Sequence, residues 1–155
     1  MSETGNHPTM ERSDLTAREI FEQVRSNPKR ARFGFGEKIA IVNVDPQKAY
    51  TRPDLFPQSG YITDPDQITH INALSGAARR KGLPVVWTHV CYMDNAADAG
   101  VWGTRTNTEN SLQNIKANSV RSEFDDRLEI DRSVDAIYEK KMPSAFFETR
   151  LSSFL

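Results

Sequence analysis

The sequence predicts an α/β fold in which helices flank a parallel β-sheet. Two continuous apolar runs, at residues 38–44 and 83–90, are rich in β-branched side chains and have the length of strands that are buried on both faces. Between them, residues 64–82 repeat apolar side chains at helical spacing. A strand, a helix and a strand in this order form a βαβ unit, so the two strands are expected to run parallel with a right-handed crossover.

A helix is also predicted ahead of the first strand. Apolar side chains fall near one face of residues 13–24, which is the pattern of a helix with one packed side. Ser13 or Asp14 is expected to cap its N-terminus, because short polar side chains accept hydrogen bonds from the first free backbone N–H groups. The proline at position 28 is expected to end it.

The helix between the two apolar runs has a clear beginning and end. Asp64 is expected to cap it, Pro65 suits the first helical position, and Gln67 can complete a capping box. Lys81-Gly82 closes it with a basic last turn and a C′ glycine. The side chains expected to face the sheet form one stripe: Ile68, Ile71, Leu74 and Ala78.

A third strand is predicted over residues 132–140, and it ends in charged residues. Pro143 then interrupts the backbone, and Ser144 is expected to cap an amphipathic helix. The apolar side of that helix comprises Phe147, Leu151 and Leu155. A sheet of only three parallel strands leaves one face and one edge poorly covered, so the sequence is expected to be the first half of a larger domain.

Two charged residues occupy equivalent places at the ends of predicted strands. Asp45 follows the first strand and Lys140 ends the third. In open parallel sheets, ligand sites lie beyond the carboxyl ends of the strands, so the sequence predicts a site that contains both residues. Two other interpretations remain open. Asp45 can form a simple Asx-turn at a strand end, and the two residues can be a structural ion pair that joins two strands.

The loops near these strand ends contain the candidate substrate-binding residues Tyr50, Arg52, Trp102 and Arg105. The first two belong to residues 48–61, a connection that is long for a compact domain and is predicted to be irregular. Tyr50 can cover a ligand or pack under its loop, and packing is the more common role of aromatic residues. Trp102 lies close to glycines and can be a lid, an interface residue or a packed side chain.

Composition argues against several function classes. The chain balances 20 basic against 21 acidic residues, so no overall field favours nucleic acid or an anionic membrane. No apolar run approaches the roughly 20 residues that a membrane span needs, and the polar N-terminus has no signal-peptide core. The histidines and the one cysteine show no metal-ligand spacing, so no metal or other cofactor is expected.

The single cysteine, Cys91, excludes an internal disulfide framework and fits the reducing cytoplasm. It lies two positions after His89, so a cysteine–histidine nucleophile pair is one interpretation. A buried structural thiol is the favoured interpretation, because a nucleophile pair also needs an orienting partner and rarely occupies a single strand.

Four segments resemble the isochorismatase-like cysteine hydrolase superfamily, and most closely its N-carbamoylsarcosine amidohydrolase branch. In order, they are residues 33–36 (Phe-Gly-Phe-Gly), 44–50 (Val-Asp-Pro-Gln-Lys-Ala-Tyr), 98–103 (Asp-Ala-Gly-Val-Trp-Gly) and 140–147 (Lys-Lys-Met-Pro-Ser-Ala-Phe-Phe). The resemblance implies a Rossmann-like, three-layer αβα isochorismatase fold. It makes residues 1–31 an N-terminal arm with one helix and residues 32–155 the N-terminal portion of a hydrolase domain.

The resemblance also implies catalytic roles. Asp45 would be the general base and Lys140 its cationic partner. Lys140 is preferred to Lys141 because the family's lysine lies four residues before a serine, here Ser144. The family's nucleophilic cysteine stands on a turn after a fourth strand. Cys91 does not match that position, so the nucleophile is expected outside this chain.

The implied reaction is hydrolysis of a C–N bond in a carbamoyl compound or small amide, with release of ammonia through a cysteine thiolate. N-carbamoylsarcosine, biuret and maleamate suit neighbouring branches of the family. One alternative is an isochorismatase-type vinyl ether hydrolase that lacks the cysteine, and another is a catalytically inactive scaffold subunit. The family also implies a homo-oligomer, often a tetramer.

Overall fold

A computed structural model describes residues 14–26, 34, 36–62, 64–104 and 114–155 of the chain. Its internal contacts divide the chain into two units, Met1–Phe35 and Gly36–Leu155. Among the described residues, none of the helices combines the length and the apolarity that crossing a bilayer requires.

The first unit contains helix α1, which spans Ala17–Arg25. It begins with a capping box, in which Glu19 Oε2 accepts hydrogen bonds from the backbone N–H and the hydroxyl of Thr16, each at 2.7 Å. The predicted helix is confirmed, but the capping residue is Thr16 and not Ser13 or Asp14. Thr16 and Glu19 exchange reciprocal hydrogen bonds, and these stabilise the start of the helix more than a single bond from one short polar side chain would.

The second unit is built around a sheet. Among the described residues it has three parallel strands in the order β1-β2-β3. The strands are β1 (Ile41–Val44), β2 (Val85–Val90) and β3 (Ala136–Lys140). The predicted α/β class and the parallel pairing are confirmed. Each strand begins later than predicted, but each ends at the predicted residue, which places the three carboxyl ends along one edge of the sheet.

Helix α3 (Gln67–Arg80) covers one face of the sheet. Its predicted C-terminus is confirmed, because Gly82 has a left-handed φ of 66° and the N–H of Leu83 bonds back to the carbonyl of Ala78 at 3.0 Å. The predicted cap is wrong in detail. Asp64 accepts a bond from the N–H of Asp66 at 2.9 Å, which forms an Asx-turn one step before the helix.

The predicted apolar stripe of α3 is only partly right. Ile71 and Ala78 pack against the sheet, but Leu74 is 58% exposed. Ser75 takes the inward position because it lies one helical turn after Ile71, and it is fully buried. Its hydroxyl accepts a hydrogen bond at 3.1 Å from the side-chain amide of Asn43 on β1, so a polar contact replaces the expected leucine.

The opposite face of the sheet is covered by the chain after β3. Ala145 and Leu151 are buried there against Val86 of β2. The helix predicted after Ser144 is shorter than expected, because α4 spans only Leu151–Phe154 and residues 145–150 form turns. The Thr149 hydroxyl bonds the carbonyl of Ala145 at 2.6 Å and accepts from the N–H of Leu151 at 3.2 Å. These local bonds compete with helical ones.

The connection after β1 is better ordered than predicted. It contains the short helix α2 (Lys48–Thr51), whose residue Lys48 is buried. The Lys48 ammonium pairs with Glu123 at 2.6 Å and with Asp126 at 2.8 Å, and the Thr51 hydroxyl donates to Asp125 at 2.7 Å. Contacts with a segment distant in sequence therefore fix this loop beside the ends of the strands.

Candidate active site

Asp45 and Lys140 meet at the carboxyl edge of the sheet. Lys140 Nζ lies 2.6 Å from Asp45 Oδ2, and the side chains are 3% and 14% exposed. Asp45 directly follows β1 and Lys140 ends β3. These are the two outer strands of the described sheet, so the side chains reach across the end of β2. The short distance follows from parallel pairing, since Lys140 pairs with Val90 at the last position of β2. The structure thus brings together the two residues that the sequence placed at one edge.

A threonine that the sequence analysis did not identify orients the carboxylate. The hydroxyl of Thr88 donates to Asp45 Oδ1 at 2.8 Å, and the N–H of Asp45 donates to the Thr88 carbonyl at 3.1 Å. Thr88 is fully buried and pairs with Val44, the residue before Asp45. Both carboxylate oxygens therefore have a partner. The available signal was a hydroxyl within a mostly apolar strand, but the residue that it contacts could be assigned only from the strand register.

The backbone at Asp45 adopts an uncommon conformation. Its φ of 52° lies in the left-handed region, which aspartate tolerates better than most residues. The N–H of Gln47 donates to the backbone carbonyl of Asp45 at 2.7 Å. The turn after β1 is thus closed by the backbone, while the side chain bonds Thr88 and Lys140. This differs from the Asx-turn interpretation, in which the carboxylate would have closed the turn.

The ion pair opens onto a cleft of about 230 Å³. Of the predicted substrate-binding residues, Tyr50 and Trp102 line it, together with the following residues: Asp45, Val90, Tyr92, Lys140, Met142 and Pro143. A second cleft, of about 460 Å³, shares Asp45 and Tyr50 and extends along the outer edge of β1. Burial, and then the charge of Asp45, raise the pKa of the Tyr50 phenol, so this hydroxyl remains protonated beside the carboxylate.

Of the two predicted arginines, only Arg52 belongs to the described residues, and it lies outside both clefts. The Arg52 guanidinium forms a two-bond ion pair with Asp54, at 2.8 and 2.6 Å, and lines neither cleft. Arg105 lies outside the residues that the structure describes. In the part of the chain that is described, no group of three histidine, cysteine or acidic side chains is arranged to hold a metal ion.

Comparison with known proteins agrees with the fold. The family model described as "Isochorismatase domain" matches residues 39–155, which is most of the chain. The chain belongs to the isochorismatase family. It is 32% identical over 132 residues to a protein named N-carbamoylsarcosine amidase from Arthrobacter sp. The aligned region covers 81% of this chain and 47% of that protein. The chain therefore spans about half the length of this relative.

Solved structures show the same isochorismatase fold. A cysteine hydrolase from Pseudomonas syringae superposes with a TM-score of 0.64 at 23% identity, over 75% of this chain and 52% of the other. An N-carbamoylsarcosine amidase from Thermoplasma acidophilum superposes with a TM-score of 0.52 at 24% identity, over 76% and 60%.

Within this isochorismatase-family chain, Cys91 is in an environment unsuited to a nucleophile. It is 2% exposed, and its thiol donates to Glu139 Oε2 at 3.0 Å, not to His89. Burial, and then the bond to Glu139, raise the pKa of the Cys91 thiol to about 12. At neutral pH the sulfur is therefore protonated, and it lines neither of the two clefts.

Gln47 fixes the turn that carries Asp45. Its side-chain amide is fully buried, donates to the carbonyls of Val90 and Ser122 at 2.8 and 3.0 Å, and accepts from the N–H of Val90 at 2.7 Å. The side chain thus continues the backbone hydrogen bonding of β2 beyond the last paired residue. This contact connects the strand-end turn of the family motif to the sheet.

Replacing Gln47 with leucine is expected to lower the free energy of unfolding by about 2–3 kcal/mol, because buried backbone groups of Val90 and Ser122 lose their partners. Urea unfolding at pH 7 measures this. Gln58→Leu is the matched control, since Gln58 is exposed, and it is expected to leave stability nearly unchanged. Equal effects of the two substitutions would contradict the assigned role of Gln47.

Proposed function

We propose that this chain forms part of an amidohydrolase that cleaves a C–N bond in a carbamoyl compound or small amide and releases ammonia. The observation that carries the proposal is the nearly buried Asp45–Lys140 ion pair at the carboxyl edge of the sheet. A structural ion pair would not need an adjoining cleft, whereas this pair opens onto one that Tyr50 and Trp102 also line. The similarity to a protein named N-carbamoylsarcosine amidase supports the same reaction.

In the proposed mechanism, Asp45 is the general base and a cysteine thiol is the nucleophile. A thiol with an ordinary pKa of about 8.5 is only a few per cent ionised at neutral pH, so a nearby carboxylate that accepts its proton raises the reactive fraction. Lys140 keeps Asp45 in place and balances the negative charge that passes between the carboxylate and the sulfur.

The covalent steps conserve all atoms. The thiolate attacks the carbonyl carbon, the C–N bond breaks, and the leaving nitrogen takes the proton from Asp45 and departs as ammonia. Water then adds to the thioester with Asp45 accepting its proton. The C–S bond breaks, the acid or carbamate product leaves, and the sulfur is protonated again.

The thiol in this proposal comes from residues outside these 155, because the single cysteine of the sequence, Cys91, is buried and lines neither cleft. The outer edge of β1 is a suitable place for the segment that carries it. The N–H groups of Ile41 and Asp45 bond to β2, so by alternation Val42 and Val44 direct their backbone groups toward the larger cleft. A strand added there would end beside Asp45.

Substrate selection is assigned to the residues around the small cleft. Tyr50 and Trp102 offer apolar area and one hydroxyl, which suits a small uncharged carbamoyl group. Arg52 and Arg105 are proposed to bind a substrate carboxylate, which would require Arg52 to exchange its partner Asp54. A cytoplasmic homo-oligomer, such as a tetramer, remains part of the proposal.

The test is ammonia release by the full-length encoded protein from N-carbamoylsarcosine, biuret and maleamate, before and after treatment with iodoacetamide. Alkylation is expected to abolish turnover, because only the thiolate attacks the carbonyl. Cys91→Ser is expected to retain turnover and to remain sensitive to the reagent. Turnover that survives alkylation, or that Cys91→Ser removes without loss of fold, would contradict the thiolate mechanism proposed here.

A second candidate function follows from the environment of Cys91. Because this thiol is buried and protonated, a reaction without any sulfur nucleophile would fit the described residues. In that reaction, Asp45 in its protonated form would donate a proton to a vinyl ether, and water would complete the hydrolysis. Hydrolysis of a vinyl ether that is insensitive to iodoacetamide, without ammonia release from any amide, would favour this alternative.

A further inference from the structure

Lys141, the neighbour of Lys140, connects three separate parts of the chain. Its ammonium lies 2.8 Å from Asp98 Oδ2 and 2.6 Å from Glu139 Oε1, and it donates to the carbonyl of Cys91 at 2.7 Å. An ammonium has three N–H donors, so all three are used. Burial opposes the charge, but the bonds with Asp98 and Glu139 outweigh it and raise the pKa of Lys141. The side chain therefore stays charged at neutral pH.

The partner Asp98 belongs to the loop that carries Trp102. Its other oxygen accepts the N–H of Met93 at 2.9 Å, which closes the loop upon itself. Ala99, the next residue, is buried in the core, and a 3-10 turn, Val101–Thr104, then directs Trp102 to the small cleft. The contact between Asp98 and Lys141 is thus an ionic connection between this loop and the end of β3.

The two consecutive lysines act on different sides of the site, as expected where the alternation of side chains along β3 continues one residue past its end. Lys140 turns toward Asp45, and Lys141 turns toward Asp98. The ionic contact joins the loop that carries Trp102 to the same strand end that holds the Asp45–Lys140 ion pair. Movement of this loop relative to Asp45 would require the contact between Asp98 and Lys141 to break.

We propose that Lys141 and Asp98 are positioning residues that hold Trp102 over the Asp45–Lys140 cleft and thereby set the width of the substrate site. The part of this proposal that concerns substrate rests on the proposed function, whereas the placement of Trp102 does not. Loss of the contact would let the loop move, so a small substrate would bind more weakly while the reacting groups remained intact.

The first measurement follows Trp102 directly. The sequence has two tryptophans, and Trp87 is fully buried, so acrylamide quenching of fluorescence reports mainly on Trp102. Lys141→Met is expected to raise the quenching constant at least about two-fold, because the indole becomes more accessible once the loop is released. Lys141→Arg is expected to restore it, since a guanidinium can pair with the same carboxylates. Trp102→Phe gives the baseline from Trp87.

Control variants separate this effect from general damage. Lys81→Met removes an exposed lysine at the end of α3 and is expected to leave quenching unchanged. Asp98→Asn keeps an acceptor for the N–H of Met93 but loses the ionic contact, and it is expected to behave like Lys141→Met. It also decides the question if Lys141→Met does not fold. Native near-ultraviolet circular dichroism together with unchanged quenching in Lys141→Met and Asp98→Asn would overturn the proposal.

The second measurement is the kinetic effect in the full-length protein. Lys141→Met is expected to raise KM for the amide substrate about ten-fold and to change kcat by less than about three-fold, since a positioning residue acts on binding more than on chemistry. A fall in kcat with an unchanged KM would overturn the assignment to substrate width. If the wild type releases no ammonia, the proposed function fails, and the quenching result still decides the placement of Trp102.

Discussion

Asp45→Asn is expected to lower kcat/KM for ammonia release about 10²–10⁴-fold, because an amide cannot accept the proton of the attacking thiol. The substitution preserves the shape of the side chain, so an oxygen remains available for the Thr88 hydroxyl. Lys140 loses its counter-charge in a nearly buried position, which is expected to lower stability as well. Steady-state kinetics at a temperature well below the melting transition separates the two effects.

The matched control is Asp94→Asn. Asp94 is exposed and lines neither cleft, so kcat/KM is expected to stay close to that of the wild type. If Asp45→Asn changed neither turnover nor ligand binding, the ion pair would be structural and a scaffold role for the chain would be favoured. A loss shared equally by both variants would point to a general electrostatic effect.

Asp135→Ala is expected to lower the free energy of unfolding by about 3–5 kcal/mol, since it leaves a partly buried charge without its partner. The Asp135 side chain is 1% exposed, forms an ion pair with Arg79 and accepts from the indole N–H of Trp87 at 2.8 Å. Removing it leaves the indole N–H of Trp87 without its acceptor and the Arg79 guanidinium without its ion-pair partner, although Arg79 keeps its bond to the carbonyl of Glu129. Urea unfolding at pH 7 measures the loss.

The stability that Asp135 contributes is expected to fall at acid pH. Burial alone would raise the pKa of the Asp135 carboxyl, but the bonds from Arg79 and Trp87 outweigh it and hold the pKa below its usual 3.8. The folded pKa is thus lower than the unfolded one. The stabilisation is present above the unfolded pKa and is lost as the pH falls through the folded pKa. Asp135→Ala is expected to weaken the loss of stability below about pH 4.

Asp131→Ala is the control for this site, because Asp131 lies in the same turn but is exposed and bonds mainly to Ser133. Its effect on stability is expected to be small by comparison. A loss equal to that of Asp135→Ala would mean that the turn geometry, and not the buried ion pair, stabilises this corner. If the stability of Asp135→Ala fell below about pH 4 as steeply as that of the wild type, a lowered pKa of Asp135 in the folded state would be contradicted.

The strands and their carboxyl ends were predictable because continuous apolar runs are a local property of the sequence. Once the strands run parallel, the rule for ligand sites brings Asp45 and Lys140 to one edge without further information. Thr88 could not be assigned in this way, because its contact with Asp45 depends on the register between β1 and β2. The pairing of Arg52 with Asp54 likewise depends on the local course of the loop.

Errors in the predicted helices have similar causes. The pattern of α3 did not distinguish Leu74 from Ser75, because neighbouring positions differ by only about 100° around a helix and a buried polar contact was not foreseen. The final helix was predicted from three apolar residues, but side-chain bonds of Thr149 to the backbone favour turns before Leu151. At both places, hydrogen bonds of polar side chains determine the structure more than the spacing of apolar residues does.

Because Lys140 and Lys141 point in opposite directions, the site depends on the exact register of β3 against β2. A slip of β3 by a single residue would exchange the two ammonium groups, so that the wrong lysine would face the carboxylate of Asp45. Asp135 is bonded to neighbouring elements directly before the strand and opposes such a slip. We therefore expect insertions or deletions in the preceding loop to be tolerated only where they preserve the bonds of Asp135 to Arg79 and Trp87.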